Sequence, residues 1–354
     1  MTSRERVLKA FNHEKSDRLP VDYSGNDGIN RRLIEHFKVN SLEEVLQALK
    51  IDFRSASVSY IGKPLHENSV ENRNIDPLFG VVTRYIEHSG GGYWDFCDFP
   101  LAEADYETVK NWKMPSPDDY DYDATLSYCR ENKDYALYLG NAGLIDCING
   151  NTRLRGMEQV LVDLLTEDEA GLLLLDRRLE VEYSILERLL SKCHEYITFV
   201  WVGEDLGTTH TPIISQSLFK KQIRPRHQKF IDLIKSYNLP VMFHSCGYSS
   251  WAFPDFIEMG IDAVDTLQPE AINMSPQYLK ENFGQNLAFH GCISTGYPLS
   301  GGTPEEVFKS ASETIEILKP TYGYMFSPCH MVQNNTPVEN ILKLYKAAEE
   351  HGKY

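Results

Sequence analysis

Eight short apolar runs, separated mostly by helix-length intervals, constrain this 354-residue chain more than any other feature. They fall at 19–22, 51–58, 135–139, 197–202, 241–243, 263–267, 287–289 and 324–326. Strands buried on both faces read as unbroken apolar runs rather than as alternating ones. Helical spacing predicts helices over 157–165, 167–192, 217–237, 251–259, 275–282, 304–318 and 337–350. Eight strand–helix units predict an α/β chain folded as a closed (β/α)8 TIM barrel, with its site at the C-terminal ends of the strands. An open doubly wound sheet is the competing architecture. It is disfavoured because no G-x-G-x-x-G turn follows the first strand.

Two stretches depart from that rhythm. The N-terminus predicts helices over 3–12, 30–37 and 41–50, the first capped by Thr2 or Ser3 and the last by Ser41 with Glu44. An insertion at about 60–123 reads as a hairpin, with a strand at 81–86 and a Gly90-Gly91-Gly92 turn leading into Tyr93-Trp94. Residues 115–123 are an acidic solvated link. The whole of 1–354 is expected to form one barrel domain.

The polar residues cluster where a barrel would place its chemistry. His244-Ser245-Cys246-Gly247 ends the apolar run Val241-Met242-Phe243. Residues i and i+2 of a strand share a side, so His244 and Cys246 can converge on one point. Cys329 ends a later run. One imidazole and two thiolates with a position left open is the donor set of a catalytic zinc. The bland reading of an isolated H-x-C pair is packing, because buried cysteine is a common small hydrophobe. The strand-end placement and the third thiol favour the metal. His290-Gly291-Cys292 is a second such pair; it is ranked as substrate-pocket lining with Gln268, although spacing alone allows it to supply ligands instead. Glu270 is either a solvated loop carboxylate or a labile fourth ligand. Glu204 and Asp205 either satisfy the backbone of the Gly203–Gly207 turn or perform acid–base work.

Composition narrows the function. With 35 basic against 51 acidic residues, the formal charge is −16 and no basic cluster interrupts it, which argues against nucleic acid. No run is long enough to span a bilayer, and the N-terminus reads as an amphipathic helix rather than a signal peptide, so a cytoplasmic location is expected. Seven cysteines in no compact spacing argue against a disulfide scaffold.

At His244-Ser245-Cys246-Gly247, with Gly203-Glu204-Asp205-Leu206-Gly207 before it and Cys329 after, the chain resembles the uroporphyrinogen decarboxylase superfamily. Within it, the chain looks like the cobalamin-linked methyltransferase branch. The resemblance covers most of the chain and is strongest over 195–340. It implies zinc held by His244, Cys246 and Cys329, and a methyl group moved between a small methylated donor or a thiol acceptor and a corrinoid. The methylcobalamin or other corrinoid would be carried by a separate corrinoid-binding protein. The arginine-rich segment that holds a porphyrinogen's acids in true decarboxylases is missing here: the equivalent place reads Val21-Asp22-Tyr23-Ser24-Gly25-Asn26-Asp27-Gly28. Tetrapyrrole decarboxylation and cobalamin-independent methylation of a thiol are the alternative readings.

Overall fold

The computed structural model describes residues 1–88 and 91–354. After the N-terminal helix α1 (Ser3–Phe11), twelve strands follow in chain order among the described residues. The first is β1 (Phe53–Ser55). The insertion carries β2 (Ser59–Tyr60), β3 (Asn74–Ile75), β4 (Val82–His88), β5 (Gly91–Phe96) and β6 (Tyr120–Asp121). The rest are β7 (Ala136–Gly140), β8 (Phe199–Gly203), β9 (Val241–Ser245), β10 (Ala263–Thr266), β11 (Ala288–Ile293) and β12 (Tyr324–Pro328). β1 and β7 to β12 form one curled sheet of seven parallel strands, paired in that order.

The expected eighth strand at 19–22 is not a strand, and the sheet is TIM-barrel-like without being a fully closed ladder. The segment occupies the gap between the sheet edges through single contacts. Val21 makes an isolated parallel bridge to Phe326. Asp22 N donates to Phe326 O, Phe326 N to Pro20 O, and Asp52 N to Val21 O, each at 2.8 Å. Pro20 has no N–H to donate, which limits regular pairing. A buried carboxylate substitutes for part of the missing ladder. Asp52 accepts from Val21 N at 2.9 Å and Ser3 Oγ at 2.7 Å, and pairs with Arg6 at 2.6 Å and Arg18 at 2.7 Å.

Inward-facing residues stack in layers. Phe53, Phe199, Met242, Ala263, Ala288 and Met325 form the lower layer, and α1 closes that end with Val7, Ala10 and Phe11. Its Thr2–Glu5 capping box holds the helix start. One layer higher the lumen turns polar. The outer helices follow the expected positions, with one difference: 217–237 is interrupted by a π-helical turn, Phe219–Ile223, before Arg224–Ser236. Pro225, lacking an N–H, removes a helical hydrogen bond at that junction.

The insertion is built around the expected hairpin, β4 with β5, to which β3 adds a third antiparallel strand. The expected turn at Gly90 lies outside the described residues. Among the described residues no helix is long and apolar enough to cross a membrane, and all seven cysteines are free.

Candidate metal centre at the barrel mouth

His244 and Cys246 meet as their spacing requires: His244 Nε2 lies 3.4 Å from Cys246 Sγ. Bonds of about 2.0 Å to nitrogen and about 2.3 Å to sulfur at a tetrahedral angle need the two donors about 3.5 Å apart. The pair fits that bite. His244 Nδ1 faces Asp265 Oδ2 at 2.6 Å and Thr266 Oγ1 at 2.7 Å, which leaves Nε2 for the cavity. A carboxylate behind a ligating imidazole fixes its tautomer and raises its basicity.

The backbone around the pair is packed too closely for side chains. A Cβ on Gly203 would stand 2.1 Å from Ala142 O and 2.9 Å from His244 Cβ. Gly247 has φ +67, and a Cβ there would meet Gly207 O at 2.3 Å. These glycines let the turn after β8 lie against the turn after β9. Asp205 fastens the two turns, its Oδ1 accepting from Cys246 N at 2.9 Å and its Oδ2 from Asn149 Nδ2 at 2.8 Å.

Asp265 also bridges to a second imidazole. His290 Nδ1 is 2.5 Å from Asp265 Oδ1, and its Nε2 is 3.2 Å from Asp22 Oδ2. The result is a buried row from Asp22 through His290, Asp265 and His244 to Cys246. Burial alone would lower His290, but Asp265 and Asp22 outweigh it and raise its pKa to about 9. For His244 the same contest, burial against the Asp265 and Cys246 contacts, ends well above the ordinary value. Burial would raise Asp265, yet the charge and hydrogen bonds of the two imidazoles hold it well below the usual carboxylate range. Cys246 ends above the ordinary thiol value because burial exceeds the pull of His244. Trp201, beside both imidazoles at ring separations of 6.3 Å, has an indole N–H with no hydrogen-bond partner.

Over this row opens a cavity of about 460 Å³, lined among others by Cys246, Gln268, Glu270, Ser294, Cys329 and His330. Gln268, Glu270 and Cys329 thus face the same space as Cys246. Glu270 accepts a hydrogen bond from Ser294. The donor atoms of His244, Cys246 and His330 lie within 4.8 Å of one another. Cys329 stands next to His330 in the chain, but its thiol engages Thr295. The sequence and the geometry therefore differ in the third donor.

Three other residues singled out from sequence lie apart from the cavity. Glu204 is fully buried behind the sheet, accepting from Cys147 N at 2.7 Å and Ile148 N at 3.1 Å, with His227 Nε2 at 3.5 Å. Burial raises its pKa to about 7 and lowers that of His227 to about 4. His290 sits in the buried row below the cavity. Cys292 lies inside β11 at φ +66, buried in the outer core, where burial pushes its thiol up. Asp22, Asp265 and His330 were missed by the sequence reading. Asp265 had a signal: a lone carboxylate within the apolar run Ala263-Val264-Asp265-Thr266-Leu267, in the position adjoining His244.

The fold and this cluster together describe a TIM-barrel-like protein with a candidate nitrogen- and sulfur-donor metal site at its mouth. Residues 148–351, more than half of the chain, match the family model for uroporphyrinogen decarboxylase (URO-D), and the chain belongs to that family. It is 27% identical over 140 residues to a methylated-thiol–coenzyme M methyltransferase of Methanosarcina mazei. That match spans 39% of this chain and 34% of the relative, about a third of its length. A solved methyltransferase structure from Methanosarcina mazei superposes over 99% of both chains, with a TM-score of 0.65 and 16% identity, a likeness of fold.

Proposed function

We propose that this protein is a zinc-dependent methyltransferase of the family's cobalamin-linked branch. In this reading it moves a methyl group between a small methylated compound or thiol and a corrinoid carried by a separate protein. The observation that carries it is the His244–Cys246 pair, set at a metal's bite, backed by Asp265 and opening onto a cavity. The methyltransferase relatives support the same direction. His244, Cys246 and Cys329 would hold zinc, with Glu270 near enough to the cavity to act as a labile ligand. When bound, zinc supplies Lewis acidity that lowers the pKa of a thiol or polarises a methyl-bearing heteroatom.

The chain's own residues have distinct tasks around that centre. Asp265 and Thr266 orient the His244 imidazole. Asp205 holds the Cys246 backbone in place, a positioning role rather than acid–base work. Glu204 organises the Cys147–Ile148 turn from behind the sheet. Gln268 offers a neutral amide to a bound substrate. When a thiol is methylated it gives up its proton and its sulfur lone pair forms the bond to carbon. The electron pair of the bond that breaks stays with the donor.

Tetrapyrrole decarboxylation is poorly matched to these surroundings, because Asp22 occupies the lumen where cations would be needed. The test is His244→Ala beside wild type, assayed for bound zinc and for methyl transfer from methylcobalamin to a thiol. Loss of both together is expected; a variant keeping full zinc and full activity contradicts the assignment.

A further inference from the structure

The residues that line the cavity include no lysine or arginine. Residues 193–219, 236–279, 281–308 and 320–342 include β8 to β12 and the turns after them, and none of these positions is lysine or arginine. The turns after β1 and β7 repeat the pattern, with neither residue type at 55–62 or 135–152. The same face does carry carboxylates. Glu270 lines the cavity, and Asp205 stands 3.7 Å from His244 Nε2. A chain with 35 basic and 51 acidic residues provides no compensating field.

We infer that the small substrate entering this cavity carries no anionic group, and that Glu270 is a specificity determinant that turns anionic thiols away. This rests on the methyl-transfer reading above and deepens it by naming the substrate class. A sulfonate or carboxylate brought to this cavity would lose water and find no lysine or arginine to pair with in exchange. It would also face the Glu270 carboxylate across the cavity, where like charges repel; Glu270 is solvent-exposed, so that repulsion weakens with added salt. With Cys329 as the third donor, as proposed above, two thiolates would cancel the charge of a divalent ion. A neutral thiol meets none of these costs. Gln268, Ser294 and Thr295 offer it uncharged hydrogen-bonding groups. Specificity here comes from a built-in repulsive element rather than an added attraction.

The experiment compares 2-mercaptoethanol with 2-mercaptoethanesulfonate, two thiols of similar reach that differ in the charge of the far end. Zinc-loaded wild type and Glu270→Gln are titrated with each thiol by calorimetry at low and high salt. Methyl transfer from methylcobalamin is followed in parallel, and zinc content is checked on every sample. The neutral thiol is expected to bind wild type about tenfold more tightly, a gap that narrows in Glu270→Gln and in high salt. Equal or tighter binding of the sulfonate by wild type, with methyl transfer intact, overturns the inference and leaves the methyl-transfer reading standing. A preference unchanged in zinc-replete Glu270→Gln removes Glu270 from the role. If neither thiol binds or is methylated, both this inference and the reading beneath it fall.

Discussion

At the scale of single residues, the structure separates groups that touch the cavity from groups that position them. Asp265 is the clearest positioning residue, because it holds two imidazoles at once. Asp265→Asn should leave Cys246 and the fold in place yet weaken zinc affinity about 10- to 100-fold, measured by competition with a chelator. Unchanged affinity would mean that His244 needs no partner behind it. The third donor is decided by a pair of neighbours: Cys329→Ala should release zinc, whereas His330→Ala should retain it, and the reverse would favour the donor set the geometry groups most tightly. Glu204 belongs to stability. Its pKa is raised from 4.5 to about 7 when folded. Its favourable contribution is therefore full below about pH 4.5 and is lost as pH rises through about 7. Glu204→Ala also strands the Cys147 and Ile148 N–H groups, so it destabilises at every pH. The loss should be greater at pH 5 than at pH 8, by on the order of 2 kcal/mol in urea melts. A pH-independent difference would show that Glu204 is ionised in the folded protein at both values.

At the scale of elements, the strand ends explain what was legible. His244 and Cys246 could be paired from sequence because period-two geometry needs only one strand. Seven of the eight expected strands exist because their apolar runs lie in the parallel sheet. The eighth, at 19–22, could not be judged from its own residues. Whether it pairs depends on Pro20's missing donor and on Asp52, which lies 31 residues beyond Val21, just ahead of β1. Glu204 illustrates the same limit: it follows β8, but its contacts come from Cys147, Ile148 and His227 in distant segments. The grouping of Asp22 with His290 spans 268 residues and has no local signature. Two substitutions test this level. Asp52→Ala removes the shared partner of Arg6 and Arg18 and should cost about 3–5 kcal/mol, read as a lower urea midpoint. Phe11→Ala opens the floor of the lumen and should cost about 3–5 kcal/mol. A change under 1 kcal/mol in either would mean that the N-terminal segment is not integral to the barrel.

At the scale of the whole molecule, a parallel sheet curled around a lumen gives two unlike layers. The lower one is apolar and plugged by α1. The upper one carries carboxylates, imidazoles and a thiol, a combination that is costly to bury unless each group is paired. That expenditure is sensible at the end of the barrel where ligands enter. The account of this molecule stands on a metal at that end, so the most direct measurement is elemental analysis of purified wild type beside Cys246→Ala. One zinc per chain in wild type and almost none in the folded variant is the predicted result. No zinc in protein purified without chelator, or equal zinc in both samples, would contradict it and leave His244 and Cys246 as cavity lining.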